Sequence, residues 1–296
     1  MTFPGSAPRL RSASDYERFG EPLDLPLLGE GERFLVALDV DGTIMSEDGF
    51  VSPELKRAVA LLRGDGHHVV LATGRPLVAL LPVAAELGLV GTPLVAANGS
   101  ATAVLREDGS FRLTDAVTFR PERALDVLLA RMPSTFFAVE EVGVGYWVGA
   151  DFPEGTIMGR QKVVDLAALE GVETTRICAV HAAAHDPRLD AELALLGLDI
   201  VHFTIAGTQW LDVAPHGVTK ASALEDLRVR LGVRGDATVA VGDGGNDVEM
   251  LGWAAQGVAM GHAGAEVIAA ADRVTGPITD DGAVPVLHDV LAAGRD

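Results

Sequence analysis

The run Phe34-Leu35-Val36-Ala37-Leu38 stops at Asp39-Val40-Asp41-Gly42-Thr43, five apolar residues giving way at once to two carboxylates and a glycine turn. A run this short and this apolar reads as a buried strand, and its end delivers both acids into one small space. The pattern returns at Val69-Val70-Leu71-Ala72 before Thr73-Gly74-Arg75, and at Val239-Ala240-Val241-Gly242 before Asp243-Gly244-Gly245-Asn246-Asp247. Pro93-Leu94-Val95-Ala96-Ala97 reads as another short buried strand. Between the first two strands, Ser52 offers a cap and Pro53 a first turn to a helix whose Leu55, Val59 and Leu62 share one face. A second helix is expected from Pro76 to about Gly88. This βαβαβ order, with right-handed crossovers, implies a parallel sheet covered by helices on both faces. Loops at the carboxyl ends of its strands then form the site.

From about Gly99 to Gln209 the texture changes. Phe136 to Val142 and Gly145 to Val148 read as paired strands, and Pro121 to Met132 and Pro187 to Leu196 as helices, which makes an α+β module. The spacing then predicts a helix over Val218 to Leu231, a strand over Thr238 to Gly242 and a helix over Val248 to Ala255. The fold class is therefore α/β: a Rossmann-like doubly wound parallel sheet core over 31–98 and 212–296, with an α+β cap inserted over 99–211. Residues 1–30 mix Pro, Gly, Ser and charge without periodicity, and are expected to be an N-terminal arm with no catalytic role.

At 296 residues and 48% hydrophobic content, the chain can bury a full core, and its length fits two moderate domains. A formal net charge of −19 repels phosphate backbones and anionic lipid, which argues against nucleic-acid and membrane-surface partners. Any phosphate site must then be made locally positive. The one cysteine, Cys178, has no partner for an internal disulfide and reads as a small buried hydrophobe in a reducing compartment. With neither a signal-peptide core nor a bilayer-length apolar run, the expected location is cytoplasmic.

Four stretches carry chemistry. In the first, Asp39 is placed to attack phosphorus, while Asp41, two positions on, is placed to protonate a departing alkoxide and later accept a proton from water. Gly42 allows the turn and Thr43 can bond a neighbouring acid; an acidic turn of no function explains the same residues equally well. In the second, Thr73 offers a hydroxyl and Gly74 lets backbone N–H groups approach a phosphate oxygen, although Thr-Gly-Arg is also ordinary loop composition. The third is Lys220, a cation at the amino end of a helix against the dipole preference, unless it is one more solvated lysine. In the fourth, Asp243, Asn246 and Asp247 are oxygen donors suited to hard Mg²⁺, and Asn246 or Asp247 also suits a helix cap.

Taken in order and with their strand contexts, these stretches resemble the four signature motifs of the haloacid dehalogenase superfamily, over the chain from about Phe34 onward. The insert between the threonine and lysine motifs is similar to that of the Cof-type branch, which has an α+β cap. Ala97-Asn98-Gly99-Ser100, Gly257-Val258-Ala259-Met260-Gly261, Ala271-Asp272-Arg273-Val274-Thr275 and Asp281-Gly282 resemble further parts of that branch. One departure is His262, where relatives commonly carry Asn. The resemblance implies Mg²⁺ held by the Asp39 carboxylate, the Asp41 backbone carbonyl and Asp243, with Asp247 orienting a metal-bound water. It also implies Thr73, Gly74, Asn246 and Lys220 on the phosphoryl group.

The expected activity is hydrolysis of small phosphate monoesters, with sugar phosphates as the substrate class, through an aspartyl phosphate. A phosphosugar mutase using the same intermediate, and a non-catalytic phosphometabolite-binding protein, are the alternatives. Dehalogenation gives Asp41 little to do, because a halide leaves without a proton. In the cap, Glu140, Arg160, Lys162, His181 and His202 are candidates to face the leaving group, each with a solvated or satisfied side chain as the commoner alternative.

Overall fold

The computed structural model describes residues 22–133, 135–149, 152, 157–181, 187–205 and 208–294. The first apolar run forms β1 (Leu35–Leu38), and Phe34 to Leu38 are wholly buried. Next comes α1 (Pro53–Gly64), opened as its sequence predicts: Ser52 is extended and its hydroxyl accepts from the Leu55 N–H at 3.1 Å, and Leu55, Val59 and Leu62 are buried on one face. β2 (His68–Ala72), α2 (Leu77–Glu86) and β3 (Pro93–Ala96) complete the first alternation. A hairpin of β4 (Ala101–Leu105) and β5 (Phe111–Ala116) follows.

The middle of the chain holds α3 (Glu122–Arg131), β6 (Phe136–Glu141), β7 (Gly145–Val148), β8 (Arg160–Val163) and β9 (Ile177–His181). It continues with α4 (Pro187–Ala194), β10 (Leu198–Ile205) and β11 (Thr208–Pro215). The α/β rhythm then returns as α5 (Lys220–Leu231), β12 (Thr238–Gly242), α6 (Val248–Trp253), β13 (Gln256–Ala259), α7 (Ala265–Ala270), β14 (Arg273–Val274) and α8 (Ala283–Ala293). No helix among the described residues is long and apolar enough to cross a membrane.

Two compact units emerge, one formed by residues up to 69 with residues from 228, the other by residues 70–227. In the first unit the strands run β14-β13-β12-β1, all parallel. Leu38 lies opposite Val241 and Gly242 opposite Ala259, so the chain leaves β1 and β12 at the same end of the sheet. That register brings the two aspartate turns together.

In the second unit the end of β2 pairs in parallel with β3, and β4 and β5 extend that sheet antiparallel. A separate six-stranded sheet has the order β10-β11-β9-β6-β7-β8, antiparallel except for β7 with β8. Side chains alternate between its faces. Phe137, Val139, Ile177, Ala179, Leu211 and Val213 pack with α3 and α4, whereas Ala138, Tyr146, Cys178, Val180 and Trp210 form a second cluster with Phe152.

Candidate active site

In the first unit Asp39 follows β1, is nearly buried, and donates its backbone N–H to the Val241 carbonyl at 3.0 Å. The chain then turns tightly: the Val40 carbonyl accepts from Ile44 and Met45, and the Gly42 N–H donates to the Met45 carbonyl. Asp41 sits exposed on this turn. Gly42 has φ +80°, and a Cβ there would overlap the Asp243 carboxylate, so conformation and space both require glycine. The Thr43 hydroxyl donates to Asp243 Oδ1 at 2.8 Å, as the sequence suggested for a neighbouring acid.

Asp247, wholly buried, points back toward the start of its own turn. Its Oδ2 accepts from the Asp243 and Gly244 N–H groups at 3.0 and 2.9 Å. One carboxylate oxygen each from Asp39, Asp243 and Asp247 lies within 4.8 Å of the others. Three converging carboxylates with oxygen donors only suit a hard divalent cation, which compensates charge that would otherwise resist burial. Asn246 is half-buried in the same turn. His262, the departure from the resemblance, has Nδ1 accepting from the Ile278 N–H at 3.4 Å. Its Nε2 lies 3.5 Å from Asp243 Oδ2.

The second unit holds Thr73, Gly74 and Lys220. Thr73 is buried, its N–H bonds the Val95 carbonyl at 3.0 Å, and its hydroxyl oxygen accepts from the Arg75 N–H at 3.1 Å. Beside it, Ala97 (φ 49°), Asn98 (φ 53°) and Gly99 (φ 106°) all adopt positive φ. Residues held this way against their preference concentrate at functional sites. The Ala97 N–H donates to the Arg75 carbonyl and the Asn98 N–H to the Thr73 carbonyl. Gly99 lies so close to the Thr219 carbonyl that a Cβ would overlap it. The strained turn thus braces the Thr73 loop on one side and touches the start of α5 on the other.

Thr219 and Ser222 cap α5 reciprocally, each side-chain oxygen accepting from the other's N–H at 3.2 and 3.0 Å. Lys220, its first residue, is 1% exposed, so the solvated-lysine alternative does not hold.

Arg176, to which its sequence context gives no role, is the centre of a second polar cluster. Its guanidinium is buried, with Nη1 donating to the Gly74 carbonyl at 2.7 Å and to Asp212 Oδ2 at 3.2 Å, and Nη2 donating to the Tyr146 hydroxyl at 2.7 Å. Nε lies 3.0 Å from Glu140 Oε2, close enough for ionic attraction although misaligned for a hydrogen bond. Glu140, a candidate leaving-group contact, is thus buried against Arg176 at 1% exposure. Burial pushes its carboxyl up from the ordinary range, and Arg176, which it shares with Asp212, offsets only part of that. Cys178 lies in the same cluster, where burial raises its thiol to about 12 and leaves it inert. Arg160 and Lys162 are exposed, and the side chains of His181 and His202 lie outside the described residues.

A parallel α/β unit that gathers three aspartates at its strand ends, in a chain with a six-stranded α+β sheet, defines the haloacid dehalogenase class of hydrolase. The model of the family described as haloacid dehalogenase-like hydrolase matches residues 36–287. The chain belongs to that family, in its Cof-type branch with an α+β cap, and is a phosphoric monoester hydrolase. It is 30% identical to YkrA of Bacillus subtilis (strain 168) over 261 residues, 84% of this chain and 94% of that protein. Over 270 residues it is 26% identical to 5-amino-6-(5-phospho-D-ribitylamino)uracil phosphatase YitU of the same organism, 89% of this chain and 99% of that one. BT1666 from Bacteroides thetaiotaomicron, whose structure is described among phosphatases of the superfamily, matches with a TM-score of 0.70 at 28% identity, covering 89% of this chain and 98% of its own.

Proposed function

We propose that the protein is a Mg²⁺-dependent phosphatase of small phosphate monoesters, with sugar phosphates as the substrate class, acting through an aspartyl phosphate on Asp39. The convergence of Asp39, Asp243 and Asp247 carries this reading. Asp39, the Asp41 backbone carbonyl and Asp243 would hold the cation. Asp247, one of whose oxygens serves two backbone N–H groups, would orient a water beside it. Bound there, Mg²⁺ supplies positive charge to the phosphoryl oxygens.

In the first step an Asp39 carboxylate oxygen bonds phosphorus as the ester P–O bond breaks, and Asp41 gives its proton to the leaving alkoxide. In the second, Asp41 takes a proton from a water whose oxygen bonds phosphorus. The Asp39–phosphorus bond then breaks, releasing inorganic phosphate. Asn246 and Lys220 offset charge on the phosphoryl oxygens as it develops, the local positive character that a chain of net charge −19 has to build, and Thr73 holds the phosphoryl group in the bound ester and the transition state alike.

The proposed division of labour gives catalysis to the core and choice of the leaving group to the inserted cap, framed by the sheet from Phe136 to Pro215. The compound in YitU's name, a phosphorylated ribityl derivative, supports a polyol phosphate for this chain. The small-metabolite partner and cytoplasmic location expected from composition belong to the same proposal. A panel of sugar, nucleotide and cofactor phosphates, assayed with Mg²⁺ and after chelation, tests it. Phosphate release that needs Mg²⁺ and is fastest with sugar phosphates is the expected result. No release from any ester overturns the reading, and an isomerised sugar phosphate in place of free phosphate identifies a mutase.

A further inference from the structure

We infer that Arg176 is a positioning residue that aims the Thr73 hydroxyl at the phosphoryl group, an inference that rests on the proposed role of Thr73 in phosphate binding. The connection runs through one peptide plane. Arg176 Nη1 holds the Gly74 carbonyl at 2.7 Å, and the N–H on the other side of that peptide belongs to Arg75. Because the peptide is planar, clamping its oxygen also directs its N–H. That N–H donates to Thr73 Oγ1 at 3.1 Å. With a lone pair of Oγ1 engaged, the hydroxyl turns its own proton away from Arg75 and offers it as a donor.

The guanidinium is itself fixed from several strands. Glu140 of β6, Tyr146 of β7 and Asp212 of β11 engage it, and the Thr174 hydroxyl bonds the Glu140 and Arg176 carbonyls at 2.9 Å each. A cluster serving only to hold the cap sheet together could be replaced by apolar side chains at little loss, since buried ion pairs are poor sources of net stability. Here one donor of the guanidinium instead leaves the cap sheet and holds a carbonyl 102 positions away in the chain. A planar fork with five N–H groups can engage all these partners at once, and an ammonium cannot reproduce that geometry.

The test compares wild type with Arg176→Lys and with the triple variant Arg176→Met, Glu140→Gln, Asp212→Asn, which removes the buried charges together so that no unpaired acid remains. KM for para-nitrophenyl phosphate and the inhibition constant of inorganic phosphate should rise together by about tenfold in the triple variant, and by less in Arg176→Lys. kcat should stay within about threefold, because an aimed donor bound equally in ground and transition states changes KM. A structural role alone lowers the active fraction, and with it apparent kcat, while leaving both constants unchanged. In a Thr73→Val background, Arg176→Lys should move the inhibition constant no further, since the path ends at the hydroxyl.

Full separability of the Thr73 and Arg176 effects, or unchanged constants in folded variants, overturns the inference alone. Failure of the wild-type protein to bind phosphate overturns the phosphatase reading and this inference with it.

Discussion

Two clusters of buried acid, one in each unit, are held in different ways. In the first unit Asp39, Asp243 and Asp247 converge, and the contacts of the last two include the Asp243 and Gly244 N–H groups, the Thr43 hydroxyl and the His262 ring. In the second, Glu140 and Asp212 meet a guanidinium that the chain itself supplies, with the Tyr146 and Thr175 hydroxyls completing the shell. The difference teaches what each is for. Three carboxylates that converge within 4.8 Å suit a hard divalent cation, which can come and go with function. A cluster with its own arginine is charge-compensated from the moment of folding and sets geometry.

The sharpest break of this comparison is Arg176→Ala. It strands two buried acids and should cost about 3–5 kcal/mol in unfolding free energy, read from urea denaturation. Asp243→Asn should do the reverse. In chelated buffer it removes one of three crowded charges while keeping the oxygen that accepts from Thr43, so stability should hold or rise by up to about 1 kcal/mol. The same change should abolish the rise in unfolding midpoint that Mg²⁺ gives the wild type through preferential binding to the folded chain. A large loss of stability in Asp243→Asn without metal would show that the acidic group is structural, like its counterpart in the cap.

Glu140→Gln should have the smallest effect, visible in pH dependence. Burial raises the Glu140 carboxyl, so the folded chain holds that proton more tightly than the unfolded chain. Its contribution to stability is therefore complete below the ordinary value of 4.5 and is lost as pH rises above it. Glu140→Gln should flatten the decline of the urea midpoint as pH rises above 4.5. An unchanged slope would mean that Arg176 offsets the burial of Glu140 completely.

The acidic group was legible in the sequence because Asp39 and Asp243 each end an apolar run, with Asp247 in the turn that follows the second, and parallel pairing brings such ends together without any detail of packing. Ser52 as a helix cap was legible for a similarly local reason. Lys220, a cation placed against the helix dipole, was legible as an anomaly, but its burial was not. Arg176 was not legible, because its partners lie on other strands and Gly74 is 102 positions away. Strand periodicity says which residues share a face, not which polar ones meet across it. The role of Ala97 was hidden too, since alanine carries no mark of positive φ.

Among the described residues of the insert, one pair of strands was legible where the separate sheet has six, and the β4–β5 hairpin was not read at all. For the hairpin the signal was present. Asp108-Gly109 separates an apolar run from the alternating Phe111-Arg112-Leu113-Thr114, and Gly109 adopts φ +79°. The helix read from Val218 begins at Lys220, because Thr219 and Ser222 cap it there. The one read to Ala255 ends at Trp253, where Ala254 turns extended.

If Asp39 carries the phosphoryl group in transit, the adduct can be trapped. The protein is mixed with a ³²P-labelled monoester and Mg²⁺, quenched in acid within the first turnover and digested for peptide mapping. A hydroxylamine-labile label is expected on the peptide containing Asp39, absent from Asp39→Asn, whose turnover should fall by at least about 10³-fold. Phosphate released with no label on the protein, or a label that persists in Asp39→Asn, would contradict phosphoryl transfer through Asp39.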